Sequence, residues 1–172
     1  SEMCIRDRLL WILMRFVDKE PFINLGFSLK GKVNDIILGM TLGLLLMAVG
    51  YTILILLGEI KFIGFNYDLK NIILLFLLFI AVSIAEETYV RGYVLKNLLQ
   101  SFNPIISLII SSAIFSLLHF FNPNVNYIAL TELFIAGILL GISYVYTKNL
   151  WFPIALHSVS YTHLTLPTIL LV

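Results

Sequence analysis

Three charged residues follow a long apolar stretch near the middle of the chain. The run from Ile72 to Val82 contains no polar residue, and the next residues, SIAEETYVRGY, place Glu86, Glu87 and Arg91 on what should be one helix. Glu87 and Arg91 are four residues apart and can form an ion pair on one helix face. Glu86 is rotated by about 100° from Glu87, so one ion pair cannot satisfy both carboxylates. The remaining carboxylate, in so apolar a segment, indicates a functional site.

Two histidines stand in other apolar segments. His119 ends the stretch SSAIFSLLH, four residues after Phe115, so the two side chains share one helix face. His157 follows WFPIAL, in which Pro153 suits the first turn of a helix. Each histidine alone is more typical of a packing residue than of a catalyst. Together with Glu86 they give three segments that each carry a titratable group, which indicates that these groups converge inside a helix bundle.

The composition around these residues predicts a membrane protein. Of 172 residues, 60% are hydrophobic and 12% are charged, and the mean hydropathy is +1.00. Such a chain has too little polar surface to cover a soluble globule, so we predict an all-α fold, a polytopic transmembrane helix bundle. The formal net charge of +1 gives no electrostatic basis for binding nucleic acid. We therefore predict membrane lipid, and no nucleic acid, as a partner.

Apolar runs of about the length that a bilayer requires, roughly 20 residues, recur along the chain. They predict helices at Ile36–Leu57, Ile72 to about Leu99, Ile105–Phe121 and Tyr127–Tyr146, with a fifth beginning at Trp151. The run from Leu9 to Val17 is too short to span and predicts an interfacial or truncated segment. Basic residues gather before the first span and after the second and fourth, as in loops kept on the cytoplasmic side. They are Arg15, Lys19, Lys30, Lys32, Lys96 and Lys148.

These span boundaries conflict with a single site. Counted at about 1.5 Å per residue from the predicted span ends, Glu86 and His119 differ in depth by about 12 Å. Either the boundaries are displaced by several residues or helix tilt closes the gap.

The polar residues match the motifs of a known family. EETYVR at Glu86–Arg91, FSLLH at Phe115–His119 and the histidine His157 resemble the EExxxR, FxxxH and HxxxN/D patterns of the CPBP family. These intramembrane proteases include CAAX prenyl endopeptidases and bacteriocin-processing or immunity (Abi-type) proteins. The resemblance covers roughly residues 25–158, with three motifs in order on separate predicted spans. It departs at Tyr161, where the pattern has Asn or Asp.

The resemblance implies a peptidase that acts on a membrane-associated peptide, either prenylated or a leader. Glu86 and His119 would hold and deprotonate a water molecule, and His157 would donate to the oxyanion of the tetrahedral intermediate. No serine or cysteine lies in a nucleophile signature, so we do not expect covalent catalysis.

Three further residues are predicted to support this site. Glu87 and Arg91 would fix the helix and orient Glu86, and Phe115 belongs to the second motif. Two histidines and a carboxylate could also form a three-ligand zinc site with an open fourth position. A mechanism without metal fits the same residues equally well, so the sequence leaves the cofactor open between zinc and none.

Both ends of the chain differ from the rest. SEMCIRDR at residues 1–8 and VSYTHLTLPT within residues 159–172 resemble translated sequencing-adapter read-through. We therefore predict a truncated protease domain at residues 9–158 between two non-native ends, with Tyr161 in place of a lost native residue. The predicted location is a cell membrane, bacterial in origin, which the chain crosses several times.

Two other classes of protein could carry the same residues. A transporter could use buried carboxylates and histidines as an ion path, although the broken helices or inverted repeats typical of transporters are not evident. A catalytically silent membrane partner could use the charges structurally. The small-residue pairs Gly39 with Gly43 and Gly137 with Gly141 predict helix packing and do not separate these classes.

Overall fold

The computed structural model describes residues 22–59, 69–122 and 125–170, with side-chain positions for those between Ile23 and Ser160. All regular elements in these ranges are helical, which confirms the predicted all-α fold. After a short 3₁₀ turn at Phe22–Leu25, the helices are α1 (Val33–Leu56), α2 (Leu69–Ser101), α3 (Pro104–Leu118), α4 (Tyr127–Thr147) and α5 (Trp151–Leu170). Helices α1, α2 and α4 are long and apolar enough to cross a membrane. The predicted segments 1–8 and 9–17 lie outside the described residues.

Helix α2 is longer than predicted and contains a change of geometry. It runs for 33 residues, and the section Thr88–Leu95 within it is a π-helix. A π-helix widens the turn by one residue and occurs often at functional sites. This section follows Glu87 directly and includes Arg91, so the π-helix lies in the segment where the charged residues are found.

Local sequence explains where the shorter helices begin and end. Asn103 caps α3 by accepting a hydrogen bond from the Ile106 amide, with Pro104 in the first turn, where its missing N–H is not needed. Asn126 caps α4 in the same way. Helix α4 ends at Lys148, which adopts a left-handed conformation with φ 50°. These breaks reverse the chain direction and bring the ends of consecutive helices together.

One end of the bundle is held by a compact apolar cluster. Its members come from the 3₁₀ turn, the C-terminal part of α2, the end of α4, the residue just before α5 and the start of α5: Leu25, Leu95, Tyr144, Leu150 and Ile154. Three of the predicted cytoplasmic residues, Lys30, Lys96 and Lys148, lie within five residues of this cluster along the chain. These three basic residues, which were predicted to share one side of the membrane, are therefore at the same end of the bundle.

Helices α1 and α5 pack through glycines, as the small-residue spacing predicts. A Cβ atom at Gly39 would stand 2.6 Å from the Phe152 carbonyl oxygen, and one at Gly43 would stand 3.0 Å from the Val159 Cβ. Both glycines are buried. The close approach places α5 firmly against α1, and α5 carries His157.

We expect Gly39→Ala to destabilise the bundle while Gly50→Ala does not. The new methyl at Gly39 meets backbone of α5 at 2.6 Å, so the helices must separate at a cost of about 1–3 kcal/mol. Gly50 lies on the same helix with nothing within 4 Å, so alanine there should stabilise by about 0.5–1 kcal/mol through helix propensity. Unfolding of both variants in mixed detergent and SDS micelles measures the difference. Equal stabilities would contradict the packing described above.

Candidate active site

The carboxylate of Glu87 joins two helices. Its Oε1 atom accepts a hydrogen bond from Arg91 Nη1 at 2.8 Å, on the same helix, and lies 2.7 Å from His157 Nδ1 on α5. Glu87 and Arg91 are fully buried and His157 is 3% exposed by side chain. The predicted ion pair between Glu87 and Arg91 is confirmed. Glu87 therefore also has a second structural role, because the same oxygen fixes the orientation of the His157 imidazole.

The guanidinium group of Arg91 is held on three sides. Besides Glu87, it donates from Nη2 to the Gly137 carbonyl oxygen at 3.1 Å, and its Cζ atom lies 4.3 Å from the centroid of the Phe115 ring. Desolvated contact of a cation with a ring face is worth about 2 kcal/mol. The sequence predicts helix packing for Gly137 and does not predict this hydrogen bond. Every residue has a backbone carbonyl, so residue type cannot show which one accepts from an arginine.

Phe115 contacts both histidines as well as Arg91. Its ring centroid is 4.9 Å from that of His119 and 5.7 Å from that of His157, both in edge-on geometry. Phe115 is 1% exposed. Removing this ring would leave the two imidazoles and the guanidinium without their common packing surface, which explains why an aromatic residue suits the second motif.

The hydrogen-bond partners of the histidines determine which nitrogen faces Glu86. His119 Nδ1 lies 2.8 Å from the Phe115 carbonyl oxygen, which can only accept, so Nδ1 carries the proton. By the same argument, His157 Nδ1 donates to the Glu87 carboxylate. The two Nε2 atoms lie 3.6 Å and 3.8 Å from Glu86 Oε2. These distances are too long for direct hydrogen bonds. One water molecule, with two hydrogens to donate, can bridge Glu86 Oε2 to one of the two imidazoles.

The predicted difference in depth between Glu86 and His119 is wrong. Glu86 lies 15 residues before Ser101, and His119 lies 15 residues after Pro104. The end of α2 and the start of α3 meet at one turn, so both side chains are about 22 Å from it at 1.5 Å per residue. The error came from measuring Glu86 from the opposite end of a helix that is longer than a membrane span.

Exposure separates the site residues into two groups. Glu86 and His119 are 14% and 9% exposed by side chain, while Glu87 and Arg91 are 0% exposed. Glu86, His119 and His157 therefore converge as the sequence predicts, and Glu86 is the carboxylate that a reactant can approach. Glu87 lies behind it and can act only through its neighbours.

Glu86 and the two imidazole nitrogens are ligand types that zinc accepts, and three such ligands suit a catalytic zinc site. Among the described residues, no group of three or more His, Cys, Asp or Glu side chains is placed to hold a metal ion. The cofactor stays open between zinc and none, and the mechanism below says what these side chains do.

The fold and the site together define a class of protein, a helical membrane protein with carboxylate and imidazole groups converging between its helices. A family model described as "Type II CAAX prenyl endopeptidase Rce1-like" matches residues 68–162. The chain belongs to this family, which is a peptidase family, and the resemblance seen in the three motifs is confirmed. No curated protein and no solved structure matches the chain significantly.

We expect Glu87→Gln to lower stability more than Glu86→Gln does. A neutral amide leaves the fully buried Arg91 charge without the carboxylate 2.8 Å away, and breaking a buried pair in this way costs about 3–5 kcal/mol. The double variant Glu87→Gln/Arg91→Met removes both charges and should regain much of that loss. Unfolding in detergent measures all three proteins. If Glu86→Gln proves the less stable single variant, the structural role assigned to Glu87 is wrong.

Proposed function

We propose that this chain is an intramembrane endopeptidase that hydrolyses a peptide bond of a membrane-associated substrate through a water activated by Glu86 and His119. The observation that carries the proposal is the approach of two imidazole Nε2 atoms to Glu86 Oε2, at 3.6 Å and 3.8 Å. A carboxylate and an imidazole acceptor at this spacing can hold one water and receive its proton.

In the proposed reaction the water loses a proton to Glu86, and its oxygen bonds to the carbonyl carbon of the scissile peptide. The His157 imidazole, which has taken a second proton from solvent and keeps its Nδ1–H on the Glu87 carboxylate, donates from Nε2 to the resulting oxyanion. The C–N bond then breaks, and the leaving amine takes the proton from Glu86. Glu86 is then a carboxylate again, and the water is divided between the acid and amine products.

The substrate class follows from the family and from the membrane setting. The family's description names a prenyl endopeptidase for CAAX sequences. We propose a peptide that carries a lipid or apolar anchor, with a prenylated C-terminus as the first case to test and a leader peptide as the second. Such an anchor keeps the scissile bond at the depth of Glu86, within a bundle whose α1, α2 and α4 are long enough to span the bilayer.

The test uses the purified chain in liposomes with a farnesylated peptide ending in a CAAX sequence. We expect cleavage that falls by about 10²–10⁴-fold when Glu86 is replaced by Gln, and the same peptide without the farnesyl group should be cleaved more slowly. Ion flux is measured in the same vesicles. Flux that depends on Glu86 without cleavage would identify a transporter, and neither activity would identify a catalytically silent partner.

Zinc is a separate proposal for the same site, because the resemblance allows it. The metal content of the active, detergent-purified protein decides this point. About one zinc per chain, lost together with activity on chelation, would give Glu86 and the histidines the role of ligands. Full activity in metal-free protein would leave the carboxylate and imidazole mechanism as written.

A further inference from the structure

A serine lies one helical turn from Glu87 and has no role in the reaction described so far. Ser83 is four residues before Glu87 and eight before Arg91, so the three side chains follow one stripe of α2. Ser83 is 0% exposed. Within the described residues, neither its Oγ atom nor the Glu87 Oε2 atom has a hydrogen-bond partner.

Two unsatisfied polar atoms on adjacent turns are costly unless they satisfy each other. A buried donor or acceptor left alone costs about 1–3 kcal/mol, and more when it belongs to a charged group. Side chains at positions i and i+4 of a helix have Cβ atoms about 5–6 Å apart. The two atoms make no direct hydrogen bond in the structure, so the serine hydroxyl reaches the carboxylate by a change of the Ser83 rotamer or through one water molecule.

We propose that Ser83 is a positioning residue whose hydroxyl satisfies Glu87 Oε2, after a change of the serine rotamer or through one water molecule. The proposal rests on the proposed peptidase function and adds a residue outside the three motifs. With Oε2 held by Ser83, the carboxylate plane is fixed, and Oε1 stays directed at Arg91 Nη1 and His157 Nδ1. Without Ser83 the carboxylate can turn about its last bond, and His157 loses its orientation toward the reacting carbonyl.

The alternative is that Ser83 only fills space between helices. The two explanations predict opposite changes in stability. If the hydroxyl has no partner, removing it relieves an unsatisfied group and Ser83→Ala is neutral or stabilising. If it donates to Glu87, Ser83→Ala leaves a buried carboxylate oxygen unsatisfied, and the melting temperature falls.

The experiment compares Ser83→Ala, Ser83→Thr and Ser83→Val in liposomes with the cleavable peptide. Thr and Val have the same shape and differ only by the hydroxyl, so their ratio isolates the hydrogen bond from any crowding by the extra methyl. We expect kcat to fall about 10-fold in the Ala and Val variants and to be largely retained in Thr, with KM unchanged. Ser107→Ala is the control, since Ser107 is also 0% exposed but bonds the Phe102 carbonyl at the far end of α3.

A second measurement does not depend on turnover. Nitrogen-15 NMR of the labelled imidazoles reports which nitrogen of His157 carries the proton. In the resting protein without substrate, with His157 in its neutral form, the parent and the Thr variant should have the proton fixed on Nδ1, and the Ala and Val variants should show a mixture of tautomers. Unchanged spectra, or equal rates in Thr and Val, would overturn the role of Ser83 and leave the peptidase proposal intact. If the parent protein does not cleave the peptide, the peptidase proposal is overturned. The NMR spectra of His157 would still test the role of Ser83.

Discussion

Glu86→Gln is expected to lower kcat by about 10²–10⁴-fold, the range that general-base catalysis contributes. Glutamine keeps the size of the side chain and can still accept a hydrogen bond from water, but its amide cannot take up the proton. The Oε2 atom that faces both imidazoles is the one whose chemistry changes, at 3.6 Å and 3.8 Å from their Nε2 atoms. Binding of the peptide should be unaffected, so KM is expected to change little.

The effect of Glu86→Gln should appear in activity and not in stability. Glu86 is 14% exposed by side chain, and its described contacts are the long approaches to the two histidines. Unfolding of the variant should therefore match that of the parent protein. Glu87→Gln is the matched control, because it should show the reverse pattern, a large loss of stability with a smaller loss of kcat, about 10-fold. Equal residual activities in these two variants would contradict the division of roles.

The sequence was sufficient to predict that Glu86, His119 and His157 converge but not how the residues around them are connected. Motif spacing placed Glu86, His119 and His157 on three segments, and the cost of polar groups in a membrane predicted that they converge. The hydrogen bond between Glu87 and His157 joins residues 70 positions apart. This hydrogen bond depends on how α2 packs against α5. The periodicity of the sequence within either helix does not predict that packing.

The assignment of Glu87 shows where the sequence argument was incomplete. An i to i+4 ion pair with Arg91 is readable from spacing alone, and it predicts a carboxylate that orients Glu86. The structure instead directs Glu87 Oε1 to a second partner, His157, in the arrangement by which a buried carboxylate holds a catalytic imidazole in one tautomer. The residue predicted to support the general base is thus better placed to support the oxyanion donor.

Helix lengths were the least predictable part of the fold. An apolar run gives the part of a helix that lies in lipid, whereas α2 continues past its apolar run to Ser101. Its polar residues Glu87, Thr88 and Arg91 are buried inside the bundle. The glycine contacts of α1 with α5 followed from spacing, because close approach requires small residues at i and i+4. The relative depth of Glu86 and His119 could not be predicted from spacing, because it depends on which helix ends meet.

Position 161 carries the second large prediction. His157 and Tyr161 are four residues apart on α5, whose backbone is helical from Trp151 to Leu170, so the two positions share one face. The resemblance to the family places Asn or Asp there, and an amide beside His157 would supply a second donor to the oxyanion. Tyrosine has no amide, so we expect that Tyr161 does not supply this donor.

Tyr161→Asn is therefore expected to raise kcat by about 10²–10³-fold, the amount that one oxyanion donor contributes. Tyr161→Phe serves as the control for loss of the tyrosine itself, and it should leave the rate unchanged because it adds no donor. Ser160→Asn introduces the same amide about 100° away around the helix, and it should also fail to accelerate cleavage. Rates are measured on the farnesylated peptide in liposomes, with Glu86→Gln combined with Tyr161→Asn to show that the gain passes through the same site. If Ser160→Asn and Tyr161→Asn accelerate cleavage equally, or if the parent chain is already as fast as the Asn variant, position 161 does not contribute to the oxyanion site.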